Sequence, residues 1–288
     1  MPSEKISGSE THVLSGRPHP IVGLTHPCPI CITSGMNTAV AKIYRYPVKG
    51  LSAQALDQVI LAPGEGLPDD RRFAISHGAS SFDPTAPEWR PKRDFLMLAK
   101  NERLAALETD YDSATGVLTV RRNGRQVARG QITSAMGRLL INQFFAAYMK
   151  GEAPGTPSLV EAPGVMFSDT PEKYVSILNL ASVQDIERVV QAPVDPIRFR
   201  ANLLLDGMEG WAEAKWVGRS IAIGDVVLEV AEQIGRCAAT EVNPATATRD
   251  INIPLQLQRG YSHRNCGVYA RVIRGGRIAP GDPVRLID

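Results

Sequence analysis

The sequence predicts an α+β protein that is mostly β, with its strands curled into closed or half-closed barrels. Two observations carry this. Short apolar or alternating segments bounded by Gly, Asn, Asp or Pro recur through the chain, whereas helical spacing of apolar residues is confined to two stretches. Short strands punctuated by such turns suit a barrel better than a doubly wound sheet. The first element is Val40-Ala41-Lys42-Ile43-Tyr44-Arg45-Tyr46, a strand ended by Pro47. Next, Gly116-Val117-Leu118-Thr119-Val120-Arg121 turns at Asn123-Gly124 into Arg125-Gln126-Val127, a hairpin because both turn residues tolerate positive φ. A helix capped by Thr133 or Ser134 runs through Tyr148, with Leu140, Phe144 and Tyr148 on one face. In the second half, Ser182-Val183-Gln184-Asp185 has the form of a capping box with Asp in place of Glu or Gln. Val183, Ile186, Val189 and Val190 make the apolar side of its helix. Ile221-Ala222-Ile223, the turn Gly224-Asp225 and Val226-Val227-Leu228-Glu229-Val230 follow as strands, and Gly267-Val268-Tyr269-Ala270-Arg271-Val272-Ile273 closes the series before Gly275-Gly276.

At 288 residues, 43% hydrophobic and 22% charged, the chain is long enough for one or two ordinary globular domains. The Pro and Gly cluster at residues 151–157 is the expected boundary between domains spanning 36–156 and 157–288. Residues 1–35, rich in Ser, Gly, Pro and His without an apolar period, are expected to be a flexible extension, with Met36 an alternative start. Lys plus Arg number 32 against 30 Asp plus Glu, so no global field draws nucleic acid or an anionic membrane to the chain, and any anion site is local. No apolar run of membrane-spanning length and no secretory signal occur, which makes a cytoplasmic protein without nucleic-acid or membrane partners the expectation. Four cysteines, Cys28, Cys31, Cys237 and Cys266, suit a reducing compartment rather than a disulfide framework.

Chemistry concentrates in a few motifs. Arg198-Phe199-Arg200-Ala201-Asn202 is followed by Trp216-Val217-Gly218, by Gly235-Arg236-Cys237-Ala238-Ala239-Thr240, by Val242-Asn243-Pro244 and by residues 276–282. This series resembles the MOSC family of molybdenum-cofactor proteins. In the first half, Tyr46-Pro47-Val48-Lys49-Gly50 and Leu67-Pro68-Asp69-Asp70-Arg71-Arg72 are similar to the β-barrel domain that precedes MOSC in amidoxime-reducing proteins. The resemblance implies a β-barrel MOSC domain, a smaller β-rich N-terminal MOSC_N domain, and a cofactor, Mo-molybdopterin, in the cleft between them.

A thiol directly after Arg236 lies near a cation that favours thiolate, and soft thiolates suit metal centres carrying other sulfur ligands. The resemblance makes Cys237 the metal ligand and catalytic residue. It likewise implies that Lys49 and Arg71 grip the cofactor's phosphate, Arg by its planar fork and Lys as a point charge. Relatives often carry Ser where this chain has Gly50, whose backbone N–H can approach a phosphate closely. Arg200 and Asn202, alternating about Ala201, are expected on one strand face against the pterin, although family members usually have Pro in place of Ala201. Asn179 and Asp169 are expected near the cofactor, together with Arg236, while Arg198 is expected to be structural. The pair Cys28 and Cys31 with His26 offers a zinc reading, but it lies in a segment without strand or helix pattern and is not expected to be a zinc or redox motif. His263 and Cys266 are expected to be structural. No phosphate-binding loop, dinucleotide fingerprint or nucleophile elbow occurs.

The resemblance implies an oxidoreductase that reduces N-hydroxylated small molecules such as amidoximes, hydroxylamines and N-hydroxylated bases. The sequence shows neither a nicotinamide site nor the C-x4-C-x2-C spacing of a plant-type cluster. Electrons are therefore expected from an external donor of ferredoxin, flavodoxin or cytochrome b5 type with its reductase. Two rivals remain at this level: a sulfur-transfer protein with Cys237 as persulfide, and a carrier that holds the cofactor without turnover.

Overall fold

A computed structural model describes residues 38–79, 82–83 and 88–287. The expectations for residues 1–35, including those for His26, Cys28 and Cys31, lie outside the described residues. The first half contributes β1 (Ala39–Arg45), β2 (Gln54–Leu56), β3 (Val59–Leu61), β4 (Phe73–Ser76), β5 (Glu108–Asp112), β6 (Val117–Arg122), β7 (Arg125–Gln131), α1 (Ala135–Tyr148) and β8 (Ser158–Glu161). The β6–β7 hairpin turns through Asn123 at φ 51° and Gly124 at φ 72°, the left-handed backbone that makes this dipeptide a turn. Ser134 caps α1, its Oγ accepting from the Gly137 N–H at 3.1 Å.

The buried stripe of α1 is Gly137, Ile141 and Phe145, not the expected Leu140, Phe144 and Tyr148. That is a rotation of one residue. It follows from a close crossing between β7 and α1, where a Cβ on Gly137 would fall inside the Gln131 backbone and one on Gly130 inside that of Gly137. Two glycines let the backbones touch, and this contact sets which face turns inward. Leu140 is left 46% exposed in consequence.

The second half supplies β9 (Val175–Asn179), α2 (Leu180–Val190), β10 (Leu203–Asp206), β11 (Ser220–Ile223), β12 (Val226–Gly235), α3 (Ile253–Tyr261), β13 (Asn265–Arg274), β14 (Gly276–Ile278) and β15 (Val284–Ile287). Helix α2 is capped three residues before the expected cap, Ser182. Asn179 is its cap, accepting from the Ala181 N–H at 3.0 Å, and Ser182 sits inside the helix. The cause is tertiary, since the Ser182 hydroxyl is bound to the buried carboxylate of Glu213.

The fold is α+β and mostly β, with 34% strand and 23% helix among the described residues, and its main sheet is a curled half-barrel. That sheet has eight strands in the order β15-β11-β12-β13-β9-β10-β1-β2. All its pairs are antiparallel except β9 with β10, which α2 connects as a crossover. The curl has a local cause: β12 shifts register against β13 at three places, and each irregularity bends the strand. Ile177, Leu203, Ile221, Leu228, Val268 and Val272 pack inside it. A second core, with Phe73, Leu118, Ile132, Ile141 and Phe145, fills the space between β5-β6-β7, α1 and the β4–β8 pair. The halves are stitched by pairing: β1 and β2 join the large sheet, and β3 pairs with β14. No helix among the described residues is long and apolar enough to cross a membrane.

Candidate functional site

A cleft of about 320 Å3 opens where the segment after β1, the loop before β9 and the end of β12 converge. Lys49, Arg71, Asp169, Arg200, Asn202, Arg236 and Cys237 all border it, although they come from positions nearly 190 residues apart. Six cationic side chains line it, Lys49, Arg71, Lys92, Arg198, Arg200 and Arg236, against the carboxylates Asp169 and Glu232. Arg198 is taken up by its 2.7 Å ion pair with Asp250 and by the Glu241 carbonyl. The remaining surplus of positive charge suits the cleft to an anion.

The backbone pays for the aim of two of these cations. Asp69 and Arg71 both adopt left-handed backbone, at φ 62° and 48°, and so does Arg200 at φ 54°. Non-glycine residues hold such angles only where surrounding contacts over-determine them. Asp70 supplies those contacts for Arg71, since its buried carboxylate accepts from the Tyr46 N–H at 2.7 Å and pairs with the Arg71 guanidinium. Arg71 then donates to the Arg200 carbonyl at 2.7 Å. Both guanidiniums lie over the Tyr46 ring, at 4.5 and 4.3 Å from its centroid, where the ring face offsets part of their repulsion. Burial lowers the Arg200 guanidinium to about 10, with Tyr46 opposing, and raises the Tyr46 phenol to about 12. Arg200 donates from Nη1 to the Leu51 carbonyl at 2.7 Å, while its Nη2 is buried without a partner. A buried donor left unmatched is costly, so this atom marks where an acceptor belongs.

Lys49 is 7% exposed and donates to the Phe167 carbonyl at 2.9 Å and to Asp169 at 2.8 Å. Burial pulls its ammonium below the usual lysine range, with Asp169 opposing. Asp169 also takes Lys92 at 3.1 Å. Burial alone would raise the Asp169 carboxyl, but the two lysines hold it well below the usual carboxylate range. Lys92 also lies near enough to the Cys237 thiol, across the same cleft, to interact with it electrostatically. Burial opposes its charge, and Asp169 and Cys237 outweigh that, so its ammonium is held above the usual lysine range. One carboxylate thus links the deep lysine to the lysine beside the thiol.

Cys237 is half-buried and opens the turn Ala238–Glu241, its carbonyl accepting from the Thr240 N–H and hydroxyl. Arg236 fixes the approach to it. Its guanidinium donates to the Cys266 carbonyl and, at 2.8 Å, to the Phe199 carbonyl. Behind the loop, Arg249 donates to the Ala238 carbonyl at 2.8 Å and the Leu98 carbonyl at 3.0 Å.

Two expectations need correction. Asn179 does not reach the cleft. It is fully buried, and its amide donates to Glu213 at 2.9 Å and the Glu209 carbonyl at 2.7 Å. Asn202 borders the cleft, but it shares no strand face with Arg200, which sits in the turn ending Pro196–Phe199. Its own amide is spent on clipping β9 to β1: Oδ1 accepts from the Ser176 N–H and hydroxyl, and Nδ2 donates to the Tyr44 carbonyl. Lys92 and Tyr269 are among the lining residues that went unforeseen. Lys92 lies in a polar run without period and carries no sequence signal. Tyr269 does, because alternation in β13 buries Val268, Ala270 and Val272 and turns Tyr269 to the opposite face, where it stacks on Tyr174 at 5.5 Å.

A family model for the MOSC N-terminal beta barrel domain matches residues 37–156, and one for the MOSC domain matches residues 164–285. The chain belongs to the MOSC family. This MOSC protein is similar to Mitochondrial amidoxime-reducing component 1 of Homo sapiens, 30% identical over 137 residues, which are 43% of this chain and 39% of that protein. It is also similar to Mitochondrial amidoxime reducing component 2 of Bos taurus, 29% identical over 156 residues, 49% of this chain and 45% of that protein. The chain therefore spans less than half the length of these curated relatives. Among solved structures, the YUAD protein from Bacillus subtilis aligns with a TM-score of 0.39 at 13% identity, covering 86% of this chain and 94% of that one.

The donor set of the MOSC cleft fits a cofactor that brings its own metal ligands and an anionic tail. No group of three His, Cys, Asp or Glu able to hold a bare ion occurs among the described residues, so Cys237 can add only one ligand to a metal already held elsewhere. The buried, unmatched Arg200 Nη2 asks for an acceptor, and the surplus of cations asks for negative charge. The corrected role of Asn179 has a measurable consequence. Asn179→Ala removes a helix cap and a donor to a buried carboxylate, which together cost about 2–4 kcal/mol. The unfolding free energy from urea titration should fall by that amount while cofactor retention stays at the wild-type level; the reverse pattern would return Asn179 to the cleft.

Proposed function

We propose that this MOSC protein holds a molybdenum cofactor, Mo-molybdopterin, in the cleft and reduces N-hydroxylated compounds with electrons from a separate carrier protein. The observation that carries the reading is the convergence of the Cys237 thiol with a buried, unmatched guanidinium and a cation surplus in one cleft. When bound, the cofactor supplies a metal that exchanges two electrons and takes the hydroxyl oxygen. The names of the curated relatives support amidoximes as the substrate class.

Within this reading Cys237 ligates the metal, held in place by the Arg236 brace. Lys49 and Arg71 receive the phosphate, and Arg200 donates to the ring system. Phosphate would compete with Asp169 for Lys49, and Lys92 keeps the displaced carboxylate within the site. The overall reduction consumes two electrons and two protons and releases the amidine or amine and water.

The reading is tested by turnover of benzamidoxime with molybdenum-loaded protein. Reduced methyl viologen should sustain amidine formation, and NADH alone should give no more than the protein-free background. Turnover with NADH alone would eliminate the separate carrier, and none with reduced dye would eliminate the reductase.

A further inference from the structure

The β6–β7 hairpin carries Arg121, Arg122, Arg125 and Arg129; Glu108 on β5 lies opposite Arg121, and no carboxylate forms an ion pair with Arg122, Arg125 or Arg129 among the described residues. Arg122, Arg125 and Arg129 are exposed, and Arg121 is half-buried. Arg122 and Arg125 face each other directly across the hairpin. Like charges in that position destabilise a strand pair, and no carboxylate among the described residues relieves these two. Arginine on an edge strand can guard against unwanted pairing, which would account for Arg125 and Arg129 on β7. It does not account for Arg122, which lies on the inner strand β6.

Arg122 and Arg125 lie on the side of the sheet that carries Leu118 and Val120, and Arg121 and Arg129 lie on the other, so the arginines surround the hairpin tip, which leads to the thiol. The Arg122 guanidinium lies 5.5 Å from the centre of the Tyr148 ring, and that of Arg103 lies 4.5 Å from it. The Tyr148 hydroxyl donates to the Arg103 carbonyl at 2.7 Å. Glu102, the preceding residue, pairs at 3.4 Å with Arg249, which in turn holds the Ala238 carbonyl next to Cys237. The hairpin tip is thus joined to the Cys237 loop through one aromatic ring and two ion-paired segments.

We infer that the tip of this hairpin docks an acidic electron-carrier protein, an inference that rests on the reductase reading above. Charge complementarity selects the partner, since a cluster of unpaired guanidiniums matches surface carboxylates in bidentate geometry. A lipid surface fits less well. Binding to one needs apolar side chains beside the cations, and the exposed Met136, Leu139 and Leu140 lie toward the far end of α1, about 12–18 Å from Tyr148 along the helix axis. Val127 is the one exposed large apolar side chain on the hairpin among the described residues.

The test measures binding of an acidic plant-type [2Fe–2S] ferredoxin to the molybdenum-loaded full chain by calorimetry at low salt. It is repeated with the triple variant Arg122→Glu, Arg125→Glu, Arg129→Glu and with the matching triple replacement by Lys. The Glu variant should bind at least tenfold more weakly and its KM for ferredoxin should rise in step. The Lys variant should retain binding, and viologen-driven turnover should be the same in all three proteins. Equal binding by wild type and Glu variant overturns the docking site and leaves the reductase reading standing. So does an absence of ferredoxin binding, or tighter arginine-dependent binding of anionic vesicles or DNA. Loss of viologen-driven turnover in the wild type overturns the reductase reading itself, and the carrier assignment with it.

Discussion

Cys237→Ala is expected to lower viologen-driven turnover by more than about a hundredfold, because even a group that merely supports a metal ligand costs 10–100-fold when removed. Stability should barely change. The thiol is half-buried, and the bonds that form its turn use the Cys237 backbone carbonyl, which alanine keeps. Such a substitution away from a packed core stays within about 1 kcal/mol. Molybdenum content, amidine formation and the far-UV circular dichroism spectrum check the three parts together. Undiminished turnover in this variant would refute Cys237 as the metal ligand.

The second large effect separates two cations that share one expected role. Lys49→Ala removes a charge-assisted contact worth about 1.5–3 kcal/mol, so cofactor retention through gel filtration should fall about ten- to a hundredfold. Its partner Asp169 keeps Lys92 and is 43% exposed, which leaves stability nearly intact. Arg71→Ala should lose the cofactor equally and also destabilise the protein, because the Asp70 carboxylate is wholly buried and would be left unpaired. Breaking a buried pair by removing one partner costs about 3–5 kcal/mol. Urea unfolding of the two variants should therefore differ while their retention matches, and wild-type retention in both would remove Lys49 and Arg71 from the phosphate site.

Much of this was legible locally. The hairpin at Asn123-Gly124 and a cap at Thr133 or Ser134 follow from the φ preference of two residues and a hydroxyl, and the structure contains the hairpin and places the cap at Ser134. The motif around Cys237 and those around Lys49 and Arg71 marked residues that the fold brings to one cleft. Alternation in β13 already turned Tyr269 away from the core.

What the sequence determined by itself was the set of elements whose chemistry is complete within a few residues: strands, turns, the first helix cap, and the mostly β class. Tertiary structure alone decided how shared groups are spent. A side-chain amide can bind a ligand or clip a backbone equally well, and only the arrival of Glu213 at Asn179, and of Ser176 and Tyr44 at Asn202, committed both to the interior. The rotation of α1 came from Gly130 meeting Gly137, and Lys92 became part of the site because Asp169 and Cys237 came to it from positions 77 and 145 residues away. Hydrogen-bonding capacity is finite and is claimed by whichever partner the fold brings within 3 Å, and that distance is set by the packing of segments remote in the chain.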